Sequence, residues 1–116
     1  MQFDVEIVLR EQNHAITERL EHGTEPGAWR EPDVETVLKQ ILLAIDRARN
    51  PSRGTRFVAL RGFSWIVEPV GTQVVIAIEI PMGAAVAGPF AIEPSRLDEM
   101  IRRVIAAAAQ PGPTIH

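Results

Sequence analysis

From residue 56 to residue 80 the chain reads RFVALRGFSWIVEPVGTQVVIAIEI, and no other stretch says as much about the architecture. Side chains alternate over residues 56–68. Phe57, Ala59, Arg61, Phe63, Trp65 and Val67 fall on one face, and Val58, Leu60, Gly62, Ser64, Ile66 and Glu68 on the other, the period of two that defines a strand. Pro69-Val70-Gly71-Thr72 is turn chemistry, so residues 73–80 are expected to return as an antiparallel partner. Val74, Val75, Ile76, Ala77, Ile78 and Ile80 form a nearly continuous apolar run, the pattern of a central strand covered on both faces. A third strand over residues 85–93 follows Pro81-Met82-Gly83. Gly88-Pro89 inside it demotes it to an edge or bulged strand.

Helices flank this block. Over residues 33–49, Val34, Val37, Leu38, Ile41, Leu42 and Ile45 recur at i, i+3, i+4 and i+7, which puts one apolar stripe on one face. Leu43 falls off that stripe. Pro32 and Asp33 supply a first-turn proline or an N-cap, and Asn50-Pro51 ends the helix. A second helix over residues 95–109 carries Leu97, Met100, Ile101, Val104 and Ile105. Ser95 with Asp98 resembles a capping box at its start. Pro111-Gly112-Pro113 stops it, leaving residues 111–116 as a short tail.

Ahead of the first helix, Phe3, Val5, Ile7 and Leu9 alternate with Asp4, Glu6, Val8 and Arg10, a strand pattern. Residues 14–22 read as its hairpin partner, turning through Glu11-Gln12-Asn13 with Asn13 in the left-handed region. The alternative is a short helix with Gly23 as its C-terminal cap. Residues 23–32 are a loop with one large apolar anchor, Trp29. The order is ββαβββα, with βααβββα as the alternative. It describes a two-layer α+β domain over residues 1–110, mainly an antiparallel sheet of about five strands with two helices.

The chain has 116 residues, 46% hydrophobic and 23% charged, a composition that folds rather than one that stays disordered. It contains no cysteine. Disulfides, thiol catalysis and cysteine-ligated metals are therefore excluded. A net charge of −3 argues against nucleic acid as a partner. Charge is uneven: residues 1–35 hold nine acids against three arginines, and the rest six acids against nine bases. Arginine exceeds lysine eleven to one, the bias of a GC-rich genome. The N-terminus is acidic and lacks the apolar core of a secretory leader. Residues 74–92 are apolar, but Glu79 and repeated Pro and Gly break them up, so no membrane span is expected. The expectation is a cytoplasmic bacterial protein.

Candidate chemistry is sparse. His14, Glu18 and His22 are spaced i, i+4, i+8. That separation is about 12 Å even on a helix, too long for both imidazoles to reach one metal; a solvated polar face is the better reading, and no metal or cofactor is expected. Arg47, Arg49, Arg53 and Arg56 cluster after the first helix. An anion site is opposed there by the helix carbonyls, and dipole complementation explains the cluster better. Gly83-Ala84-Ala85-Val86-Ala87-Gly88 has the glycine spacing of a phosphate loop without its Lys and Ser/Thr. Ser64 within Gly62-Phe63-Ser64-Trp65 lacks the closing glycine of a nucleophile elbow. Glu79 interrupts an apolar strand. It is buried and paired, with Arg61 across the sheet the nearest candidate, or it is simply exposed. Catalysis by Glu79 ranks last, because neither a histidine nor a second carboxylate has an evident place beside it.

Two helices on one face of such a sheet would leave the other bare, and exposed apolar surface marks interfaces. The chain thus reads as a non-catalytic interaction module, either a homodimer or an accessory subunit of another protein. The 85–93 edge offers a second, backbone route to pairing. From another class, the chain reads as a small-molecule-binding domain with an apolar pocket near Trp65 or Trp29, anchored by Arg61 and Glu79. Trp29, Phe57, Arg61, Phe63, Trp65, Glu79 and Phe90 are the candidate interface or ligand residues; none is assigned a catalytic role.

Overall fold

A computed structural model describes residues 1–12, 14–52, 54 and 58–109. The elements are β1 (Gln2–Leu9), β2 (Ile16–Glu21), α1 (Glu31–Arg49), β3 (Ser64–Val70), β4 (Gln73–Ile80), β5 (Gly83–Phe90) and α2 (Pro94–Ala109). This is an α+β fold in the order ββαβββα. Residues 14–22 supply a strand, so the order with an early helix is not borne out. Its six residues pair antiparallel with β1, from Gln2 opposite Glu21 to Ile7 opposite Ile16.

The sheet order is β2-β1-β5-β4-β3. β3, β4 and β5 form a meander of hairpins, and the chain's long return through α1 lets β5 lie antiparallel beside β1. Alternation then sorts the side chains. Phe3, Val5, Ile7 and Leu9 of β1, Val74, Ile76 and Ile78 of β4, and Ala85, Ala87 and Phe90 of β5 are buried. Both helices pack on that one face, through Val34, Val37, Leu38, Ile41, Ala44 and Ile45 of α1 and Leu97, Met100, Ile101 and Val104 of α2. Leu43 is half-buried.

Four expectations are corrected. The strand expected from residue 56 begins at Ser64. Gly62 has φ +78°, a left-handed conformation that no strand contains, and residues 58–63 form an irregular lead-in whose Leu60 alone is fully buried. The hairpin turn shrinks to Gly71-Thr72, because Val70 still pairs with Gln73. Pro69 is tolerated in β3 because β3 is an edge strand. β4 is interior, as its apolar run implied, yet it is covered on one face only: Val75 and Ala77 are half-buried and Glu79 is exposed.

The fourth correction concerns β5. It lies at the centre of the sheet and not at its edge. The proline is absorbed by a bulge. Val74 pairs with Phe90 and Ile76 with Ala87, so Gly88 and Pro89 together face Val75. Gly88 takes φ +137° there, and Pro89, which has no N–H, enters neither ladder. With β1 and β4 on its two sides, β5 has no free edge for a second chain.

Capping also differs in detail. Arg30 precedes α1, and its backbone N–H donates to Asp33 Oδ2 at 2.9 Å. At α2 the cap is Glu93, not the Ser95–Asp98 pair. Glu93 accepts from the Arg96 backbone N–H and from Ser95 Oγ, both at 2.8 Å, while Asp98 turns to Arg102 at 2.8 Å. Among the described residues, no helix is long and apolar enough to cross a membrane. Asn13, Arg53, Arg56, Phe57, His116 and the tail lie outside the described residues.

Candidate interaction surface

The face of the sheet opposite the helices is formed by the outward residues of all five strands. Strand register decides what stands next to what on it. Glu6 of β1 lies opposite Val86 of β5, Val86 opposite Ala77 of β4, and Ala77 opposite Ile66 of β3. One residue pair further along run Val8, Ala84, Glu79 and Ser64. Val8 is 47% exposed, Val86 44% and Ile66 57%. Single exposed apolar side chains are ordinary. Here three adjacent strands, β5, β4 and β3, set Val86, Ala77 and Ile66 side by side, with Val8 and Ala84 widening the strip.

Charge surrounds the strip. Glu6 and Glu79 border it and carry no ion pair among the described residues. At the β2 rim, Arg19 Nε donates to Asp4 Oδ1 at 2.9 Å. That hydrogen bond, with the attraction of the same carboxylate, raises the Arg19 pKa. The relief is shallow: depressions of about 270 Å³ each are lined by Ile66, Ala77 and Val86 on one side and by Val8, Arg10 and Glu79 on the other. A broad, shallow, apolar-centred surface with a polar rim has the form of a protein-contact surface.

The residues singled out in the sequence do not converge. Trp29 is wholly buried. Its ring meets Phe90 at 5.0 Å and the edge of His22 at 6.0 Å, and its Nε1 donates to the Thr24 carbonyl at 2.9 Å. Phe90 also meets Phe3 at 5.1 Å; both aromatics are core. Phe63 and Trp65 are half-buried on the helix side, where the Arg102 guanidinium lies 5.5 Å over the Trp65 ring. Glu79 stands on the opposite face, in register with Ser64, so the Trp65 ring on the helix side and the Glu79 carboxylate do not converge, although both residues border the shallow depression beside Ile66. Arg61 is exposed in the lead-in to β3. Glu79 is exposed, the plainest of the three options weighed for it.

The polar groups of β2 are likewise engaged locally. Glu18 accepts from Arg47 Nε at 2.9 Å, and His22 Nε2 lies 2.9 Å from Asp33 Oδ1. His14 is exposed. Residues of the strip that sequence reasoning did not single out as candidates are Val8, Ile66, Ala77 and Val86. Their apolar character was visible, but their contiguity depends on β5 lying between β1 and β4, a non-local pairing. No family model, curated protein or solved structure matches the chain.

Proposed function

We propose that the protein is a non-catalytic interaction module that works as a homodimer through the open face of its sheet. The observation that carries this reading is the in-register row Val86, Ala77 and Ile66, flanked by Val8, on a face that neither helix covers. The size is adequate. Five strands about 4.8 Å apart and six to eight residues long make a face of about 600 Å². Two such faces bury about 1,200 Å², the lower end of the range for stable specific interfaces. The two chains' apolar strips would meet at the centre, and Glu6, Glu79 and the Arg19–Asp4 pair would stay in the wet rim. A cysteine-free chain suits the reducing cytoplasm, which is the setting proposed.

A charge placed in the strip tests this. Ile66→Asp removes no core contact, since Ile66 faces outward, but it would bury an unpaired carboxylate in the dimer. Size exclusion with light scattering should give a dimer for the parent chain and a folded monomer for Ile66→Asp. A parent chain that is monomeric at tens of micromolar, where obligate dimers persist, contradicts the reading. A dimer indifferent to Ile66→Asp places the contact elsewhere.

A further inference from the structure

Most described arginines are engaged. Arg19, Arg47, Arg102 and Arg103 pair with carboxylates, and Arg96 donates to the carbonyls of Gly27 and Trp29 at 2.9 and 2.6 Å. Arg10 and Arg49 have no such partner among the described residues, and they line the same cleft. It opens at the end of the molecule where the last turn of α1 meets the end of β1 and the turn between β4 and β5. Its volume is about 320 Å³, and Leu9, Pro81 and Met82 give it apolar walls. A second hollow of about 380 Å³ shares Arg49, Pro81 and Met82 and continues between α1 and the sheet past Leu42, Ile45 and Ile80. Both volumes lie at the small end of the range for organic ligands.

We infer that this cleft binds a small amphipathic anion, with a carboxylate or phosphate head between Arg10 and Arg49 and a short apolar tail along Met82 and Ile80. Guanidinium forks match the geometry of both heads. Three negative influences stand nearby: Glu11 on the rim, Asp46 in the wall of the adjoining hollow and the carbonyl end of α1, whose dipole disfavours anions. One arginine would leave them in excess. Two, reaching in from different elements, hold the head by charged hydrogen bonds from both sides, so both are required. Arg47 takes no part in the site, because it is drawn off to Glu18. The site comes from β1 bringing Arg10 to Arg49.

The test is an amide-shift titration of the isotope-labelled full chain at neutral pH with octanoate, octyl phosphate and 1-octanol. Octanoate or octyl phosphate should saturate the shifts of Arg10, Gln12 and Met82 with a Kd of about 1 mM or below, modest for a ligand of this size. Octanol, with the same tail and no charge, should bind about tenfold more weakly, the value of a charged hydrogen bond. Arg49→Gln, a change at an exposed position, should weaken the anion about tenfold and leave octanol unchanged. Equal affinity for octanol, shifts centred on Ile66 and Val86, indifference to Arg49→Gln, or no saturable shift would each overturn the inference. The octanol comparison and Arg49→Gln leave open whether the open face pairs two chains, while shifts centred on Ile66 and Val86 would count against both readings.

Discussion

Asp33 shows how much one side chain of this fold holds together. It accepts from the Arg30 backbone N–H at the start of α1 and from His22 at the end of β2, so one carboxylate joins a helix terminus to the sheet. The Arg30 N–H chiefly, and then His22, hold its pKa below the ordinary value. Because the folded pKa lies below the unfolded one, this contribution is complete above the usual carboxylate range. It is lost as pH falls through the folded value. Glu93 at the start of α2 is shifted the same way, first by the Arg96 N–H, and adds to the same acid limb. Asp33→Asn should cost about 1 kcal/mol at neutral pH, the usual value of a cap, and should flatten the fall in stability between neutral and acid pH seen by urea unfolding. An unchanged acid limb would show that Asp33 is not a stabilising carboxylate. The start of α2 was readable in the sequence from Ser95 and the apolar stripe that follows it. That Glu93 and not Ser95 would cap α2 was not, because both spacings suit a cap and only the backbone path chooses between them.

At the scale of elements, β5 carries the topology. Its small residues let β1 and β4 close in on either side. A methyl group added at Gly83 would collide with the Val8 carbonyl and crowd Leu9 Cα, backbone that cannot swing aside. Gly83→Ala should therefore lower stability by about 1–3 kcal/mol, the cost typical of overpacking, measurable as a lower melting temperature. A melting temperature equal to the parent's would mean that the β1–β5 pairing is looser than described. The strands themselves were legible from alternation, and both helices from their stripes, because those signals are local. The place of β5 was not. Gly88-Pro89 argues for an edge wherever a proline would break a ladder, and only the bulge opposite Val75 lifts that constraint. The two-sided apolar pattern of residues 56–68 was also misleading. Gly62 ends any strand there, and Leu60 reaches the core from a loop.

For the molecule as a whole, the placement of both helices on one side determines what remains to be covered. The sequence showed more apolar strand surface than two helices on one face would bury, and Ile66, Val86 and Val8 are where that excess lies. The Arg10–Arg49 cleft is not legible in the sequence, since the two residues belong to different elements and meet only at the end of the packed layers. The central claim is that the strip Val8, Val86, Ile66 is buried against the same strip of a second copy. Isotope-filtered nuclear Overhauser spectra on a mixture of labelled and unlabelled chains measure this contact directly. The account predicts cross-peaks from the methyl groups of Val8, Ile66 and Val86 to protons of the unlabelled chain. Their absence at concentrations where the chain is dimeric, or cross-peaks confined to the outer edge of β3 or to the helices, would contradict it.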